Sequence, residues 1–158
     1  MKPQEFLQVF VEGNYRDFIE TNRTEEDLIR RGFNTTVAAS HLADHFYNYN
    51  KKHNLGKTAR FIKIADYLKY LSRKSSYFND IRSLADAYKH LYQKNPDAAH
   101  VTIASAGALT VEILKPSMLI EMNYQKKEVI YTRTKTGEKI KLKVALDDVI
   151  AMWKKEIF

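Results

Sequence analysis

The segment YFNDIRSLADAYKHLYQKN, residues 77–95, carries the clearest helical signal in the chain. Tyr77, Phe78, Ile81, Leu84, Ala85, Tyr88, Leu91 and Tyr92 recur at steps of three and four, the spacing that gathers side chains on one side of an α-helix. At about 100° per residue, Arg82, Asp86, Lys89 and His90 collect on the other side, Asp86 one turn after Arg82 and His90 one turn after Asp86. One helix is thus predicted to carry a core face and a compact ionisable face.

On the N-terminal side the apolar pattern predicts further helices. Residues 3–21 read as a first helix with Phe6, Val9, Phe10, Tyr15, Phe18 and Ile19 inward and a bend near Gly13. Thr24 followed by Glu25, Glu26 and Asp27 is a helix start, a hydroxyl cap with acids against the positive end of the dipole. That short helix is expected to end near Gly32, with Asn34 or Thr35 capping a new one that runs to about His53 and turns Ala38, Leu42, Phe46 and Tyr49 inward, Gly56 lying just beyond it. Residues 57–72 predict an amphipathic helix with Phe61, Ile64, Ala65, Leu68 and Leu71 inward.

Pro96 stops the central helix and the period changes. Residues 101–104, 108–114, 118–123, 128–134 and 139–144 are short, partly alternating and rich in β-branched residues, as strands are. Ile140, Leu142 and Val144 alternate with Lys139, Lys141 and Lys143, and 135–138 supplies a glycine-containing hairpin connection. The lysine row suits a sheet edge that must not pair with another chain. Asp147 and Asp148 then open a closing helix that places Val149, Ile150, Met152 and Trp153 over the core. The expected fold is α+β, mainly α: a bundle of about four major helices over 1–95, a small antiparallel sheet over 100–144 and a C-terminal helix over 145–157, in a single domain.

Composition narrows the class. The chain has 158 residues, 44% of them hydrophobic, and no Pro/Gly/Ser-rich linker divides it, so one core is expected. There is no cysteine, which removes disulfides, thiolate catalysis and zinc–cysteine sites and suits a reducing cytoplasm. The opening MKPQEFLQVF meets Glu12 and Gly13 before an apolar segment develops, and the longest uncharged run, 101–111, is too short for a bilayer. A cytoplasmic protein without membrane contact is expected. Five glycines form neither a phosphate-cradling loop nor a nucleophile elbow, which removes support from dinucleotide and α/β-hydrolase readings.

The net charge of +7 is unevenly placed. Residues 51–94 hold eleven Lys and Arg against three acids, a surplus that attracts phosphate or acidic protein. Lys57, Arg60 and Lys63 are spaced three apart, and Tyr67, Tyr70 and Tyr77 lie among Lys69, Arg73 and Lys74. Rings interleaved with cations suit single-strand binding, in which bases stack and phosphates are held; they equally suit tyrosines at a core boundary beneath a solvated helix face. The candidate nucleic-acid-binding residues are Lys57, Arg60, Lys63, Arg73, Lys74 and Lys89.

Two ionisable clusters carry the remaining chemistry. In the first, Arg82, Asp86 and His90 are candidate catalytic residues: a histidine can move the 2′-hydroxyl or leaving-group proton, Arg82 and Lys89 can stabilise charge on phosphorus oxygens, and Asp86 can orient His90 or Arg82. The same residues can also form an i,i+4 ion-pair ladder that needs no substrate. In the second, His41, Asp44 and His45 share helical spacing and could join Asp86 or His90 in a metal site, although no glutamate lies between Asp27 and Glu112, where helical metal bundles draw their ligands. No metal and no cofactor is expected.

Residues 33–49, FNTTVAASHLADHFYNY, and 78–90, FNDIRSLADAYKH, resemble the paired helices of uncharacterised bacterial proteins related to the HEPN superfamily. In those proteins a His-Leu-x-Asp element precedes a helix reading roughly Arg-Asp-Ile-Ala-Asn-x-x-Lys-His; the counterparts are His41, Leu42 and Asp44, then Arg82, Ala85, Asp86, Lys89 and His90. The likeness covers about half the chain. It implies a small helical bundle that binds or cleaves RNA, as a metal-independent endoribonuclease where catalytic, in a toxin–antitoxin or phage-defence setting. It also implies a homodimer in which residues 82–90 of two chains, with the small Ser83 and Ala87, approach about a two-fold axis, and an antitoxin protein as a further partner. Seven residues separate Arg82 from His90, wider than the family's catalytic spacing. A noncatalytic nucleic-acid- or protein-binding module and a metal-binding bundle stand as alternatives.

Overall fold

The computed structural model describes residues 1–20, 23–89, 108–114 and 126–158, without the side chains of 88, 89, 114 and 126. It is mainly helical, with a small antiparallel sheet and a C-terminal helix. The N-terminal segment is helix α1 (Pro3–Phe6), a π-helical stretch (Leu7–Val11) and helix α2 (Glu12–Ile19). The departure from regular helix thus comes before Gly13, where an extra residue per turn keeps both Leu7 and Val11 buried.

Helix α3 (Glu25–Lys52) is the spine. Thr24 caps it as expected, its hydroxyl accepting from the Asp27 N–H at 3.2 Å. The predicted break at Gly32 is absent: one 28-residue helix replaces two. Gly32 is a point of close approach, where a Cβ would stand 2.7 Å from Leu142 Cδ2 and 3.1 Å from Phe18 Cε2. The hydroxyls that suggest a second cap turn back into the same helix, Thr35 donating to the Arg31 carbonyl at 2.9 Å and Thr36 to that of Gly32 at 2.8 Å. The helix ends not through Gly56 but through Asn54, which takes the left-handed conformation (φ 52°) while the Leu55 N–H bonds the Asn50 carbonyl.

A single 3-10 turn (Gly56–Thr58) and an irregular loop lead to helix α4 (Ile64–Lys74), shorter and later than the predicted 57–72. Tyr67 and Leu71 are its buried residues and Ala65 faces out, so its core face is rotated from the expected one. Helix α5 (Phe78–Lys89) is the described part of the central segment, with Phe78, Ile81, Leu84 and Ala85 buried as predicted. Residues 90–95 and the predicted strands 101–104 and 118–123 lie outside the described residues.

Strands β1 (Thr110–Leu114), β2 (Lys126–Thr132) and β3 (Lys139–Lys141) form an antiparallel sheet in that order, with Val111 opposite Val129 and Tyr131 opposite Ile140. The predicted hairpin joins β2 and β3: Gly137 sits at φ 67°, and the Arg133 N–H bonds the Glu138 carbonyl at 2.9 Å. Lys139 and Lys141 stand exposed on an edge strand and pair with Glu112 and Glu128. The last strand is shorter than expected because helix α6 (Leu142–Ile157) begins five residues before Asp147. Leu142, Ala145, Leu146, Val149 and Trp153 are all fully buried at helical spacing, whereas Val144 is exposed, so the helical period prevails over the alternating one.

Helix α6 closes the core. Trp153 is fully buried, donates to the Ala39 carbonyl of α3 at 3.1 Å, and has Phe46 and Phe78 as ring neighbours with centroids 6.1 and 6.2 Å away. No helix among the described residues is long and apolar enough to cross a membrane.

Candidate functional site

The basic surface is built on the loop before α4. The Tyr47 hydroxyl lies 2.9 Å from the Ile62 carbonyl and 3.2 Å from that of Phe61, which pins the loop to α3 and leaves Ile62 86% exposed. Arg60 is thereby laid over two rings, its guanidinium carbon 4.7 Å from the Phe61 centroid and 4.6 Å from that of Tyr70. Lys74, one turn beyond Tyr70, stands 5.3 Å from the same ring. Tyr70 is held from behind by Glu156 of α6, to which its hydroxyl donates at 2.8 Å; burial first, then this carboxylate, raises the tyrosine above its ordinary pKa.

A shallow cavity of about 360 Å³ opens here, lined by Arg60, Phe61, Asp66, Lys69, Tyr70 and Arg73. Among the described residues neither Lys69 nor Arg73 pairs with a carboxylate. Arg60, Lys63, Lys69, Arg73 and Lys74 are exposed, and Asp66 is the one acid among the described residues that line the cavity.

The chain resembles none of the family models, curated sequences or solved structures with which it was compared.

Lys57 stands apart from the other predicted nucleic-acid contacts. Its ammonium donates to the carbonyls of Glu156 at 3.1 Å and Ile157 at 2.7 Å, neutralising the negative end of α6. The tyrosines also divide. Tyr67 is fully buried between Phe46, Tyr47 and Phe61, and burial, then the Glu156 charge, pushes its hydroxyl far above the ordinary tyrosine range. Tyr77 is half-buried with the Arg133 guanidinium 5.1 Å from its ring centroid.

On α5, Asp86 is exposed and Arg82, one turn earlier, is half-buried. His90 and the side chain of Lys89 lie outside the described residues. Ala87, expected at a two-fold contact, is 6% exposed within its own chain, whereas Ser83 is half-buried. In the second cluster, His41 and Asp44 are exposed, and His45 packs on the N-terminal segment: its Nε2 lies 3.1 Å from the Met1 carbonyl oxygen and its ring stacks on Phe6 at 4.9 Å. His41 lines an open apolar groove with Phe6, Phe10 and Phe33. No group of three or more His, Asp and Glu among the described residues is placed to hold a metal.

A polar cluster that sequence reasoning missed joins α5 to the sheet. Asp80 is 4% exposed and accepts from the Tyr131 hydroxyl at 2.7 Å and Arg133 Nε at 2.8 Å. Burial, then the Asp80 hydrogen bond and charge, drives the Tyr131 hydroxyl far above its usual range. In sequence Asp80 is an ordinary first-turn acid; the only trace of its role is Tyr131 and Arg133 two apart on a strand, one face toward α5.

Proposed function

We propose that the protein is a HEPN-like helical bundle that binds RNA through the surface of α4. The observation that carries this reading is the groove in which Arg60, Lys69 and Arg73 face solvent around Phe61 and Tyr70 with a single acid among them. A phosphate chain supplies the charge that these cations lack, and the release of its counterions supplies the driving force.

In this reading Arg82, Asp86 and His90 form the site that acts on the bound strand, His90 moving a proton, Arg82 meeting charge on the phosphorus oxygens and Asp86 orienting one of them. Two copies pair as a homodimer through Arg82, Ser83 and Asp86, so that residues near 82–90 of both line one cleft; the setting is a cytoplasmic toxin–antitoxin or phage-defence system with an antitoxin protein as partner. The second reading, a noncatalytic binding module, draws on the buried use of α5's other carboxylate, Asp80, in packing.

Purified protein incubated with structured RNA, wild type beside Arg82→Ala and His90→Ala, separates the two. Cleavage lost in both variants with RNA affinity retained is the expected result for the endoribonuclease. Binding without cleavage in wild type assigns the module, and cleavage surviving in both variants removes these residues from the mechanism.

A further inference from the structure

The rings of the α4 surface are already occupied. Tyr67 is sealed in the core, Tyr77 has Arg133 over it, and Tyr70, half-buried, has Phe61 and Tyr67 as ring neighbours, Arg60 and Lys74 over its ring and its hydroxyl bonded to Glu156. Phe61 is half-buried and shares Arg60 with Tyr70. A base that stacks on an aromatic ring needs an open ring face, and these rings present cations instead. Arg60, set over two rings, loses little freedom when it takes a second partner, and its outward N–H groups suit a phosphate oxygen.

We infer that the α4 surface, taken as the RNA site proposed above, grips the sugar–phosphate backbone alone and reads no base. Glu156 is a positioning residue in this site: it fixes Tyr70, which fixes Arg60. The most exposed Phe, Tyr or Trp ring among the described residues is Phe158, 72% exposed and directly after the Ile157 carbonyl that Lys57 binds; it is not among the residues that line the cation groove and takes no part.

The test is fluorescence anisotropy with a labelled single-stranded RNA of about twelve nucleotides and an abasic ribose-phosphate chain of the same length, a span that covers a typical single-strand site. Because one stacked base is worth about fivefold or more in affinity, a backbone-only site is expected to bind the two chains within about threefold of each other. Phe158→Ala is expected to leave both affinities unchanged, and Glu156→Gln, which keeps a hydrogen-bond acceptor for Tyr70, to leave them closer to wild type than Glu156→Ala does. RNA binding more than about fivefold tighter than the abasic chain, or a matching loss in Phe158→Ala, overturns the inference while leaving RNA binding at this surface intact. Failure of both chains to bind at low salt overturns the inference and the RNA reading together.

Discussion

Helices α4 and α5 are neighbours in sequence and nearly equal in length, 11 and 12 residues, yet they use their polar side chains in opposite ways. Helix α5 is sunk into the molecule: Phe78, Ile81, Leu84, Ala85 and Ala87 are buried, and so is Asp80, whose charge is met by Arg133 and whose oxygen is shared with Tyr131. Helix α4 buries only Tyr67 and Leu71 and turns Lys69, Arg73 and Lys74 to solvent. The role of a charge is therefore set by what the fold packs against it: in α5 a carboxylate ties bundle to sheet, and in α4 ammonium and guanidinium groups remain available to a partner.

The largest effect is expected where a buried charge loses its counterpart. Asp80→Ala strands the Tyr131 hydroxyl and the partly exposed Arg133, and we expect a loss of about 3 kcal/mol, the lower end for breaking a buried pair because Arg133 retains access to water. Glu138, the other carboxylate on Arg133 at 3.1 Å, is more than half exposed, and Glu138→Ala should cost about 0.5 kcal/mol at most. Urea unfolding of the two variants decides this, and equal losses would show that Asp80 is no anchor.

A smaller effect is expected at the spine. In Gly32→Ala the new methyl meets Leu142 and Phe18, and overpacking of about 1–3 kcal/mol exceeds the helix-propensity gain of about 1, leaving a net loss of about 1 kcal/mol. Gly56→Ala meets nothing within 4 Å and should shift stability by less than about 0.5 kcal/mol. A stabilised Gly32→Ala in thermal unfolding would mean that α3 and α6 are not packed as closely as described.

These sites also mark how far the sequence could be read. The core face of α5, the Thr24 cap and the 135–138 hairpin were legible because each depends on local spacing or turn chemistry. Three features were not, each decided by a distant partner. Gly32 reads as a helix stop, and only the approach of Leu142, 110 positions later, makes it a packing site. Leu142 and Val144 alternate like strand residues until the core takes Leu142, Ala145 and Leu146 on helical spacing. Lys57 reads as one of a row of outward cations until the end of α6 supplies carbonyls for it. Within the candidate site, the grouping of Lys69, Arg73 and Lys74 around tyrosine was legible; that Arg60 lies over Phe61 and Tyr70, that Glu156 holds the Tyr70 hydroxyl and that Arg133 covers Tyr77 depend on contacts distant in sequence or made by the loop before α4.

The claim that α4 meets RNA while α5's buried carboxylate holds the fold is tested most directly by measuring salt dependence and stability on one variant, Lys69→Ala/Arg73→Ala. Two phosphate contacts on a single strand at about 0.7 each should lower the slope of log affinity against log salt by about 1.4, while the unfolding free energy from urea titration changes by no more than about 0.5 kcal/mol, as for surface changes elsewhere. An unchanged slope, or a loss of affinity that comes only with a loss of stability, would contradict it.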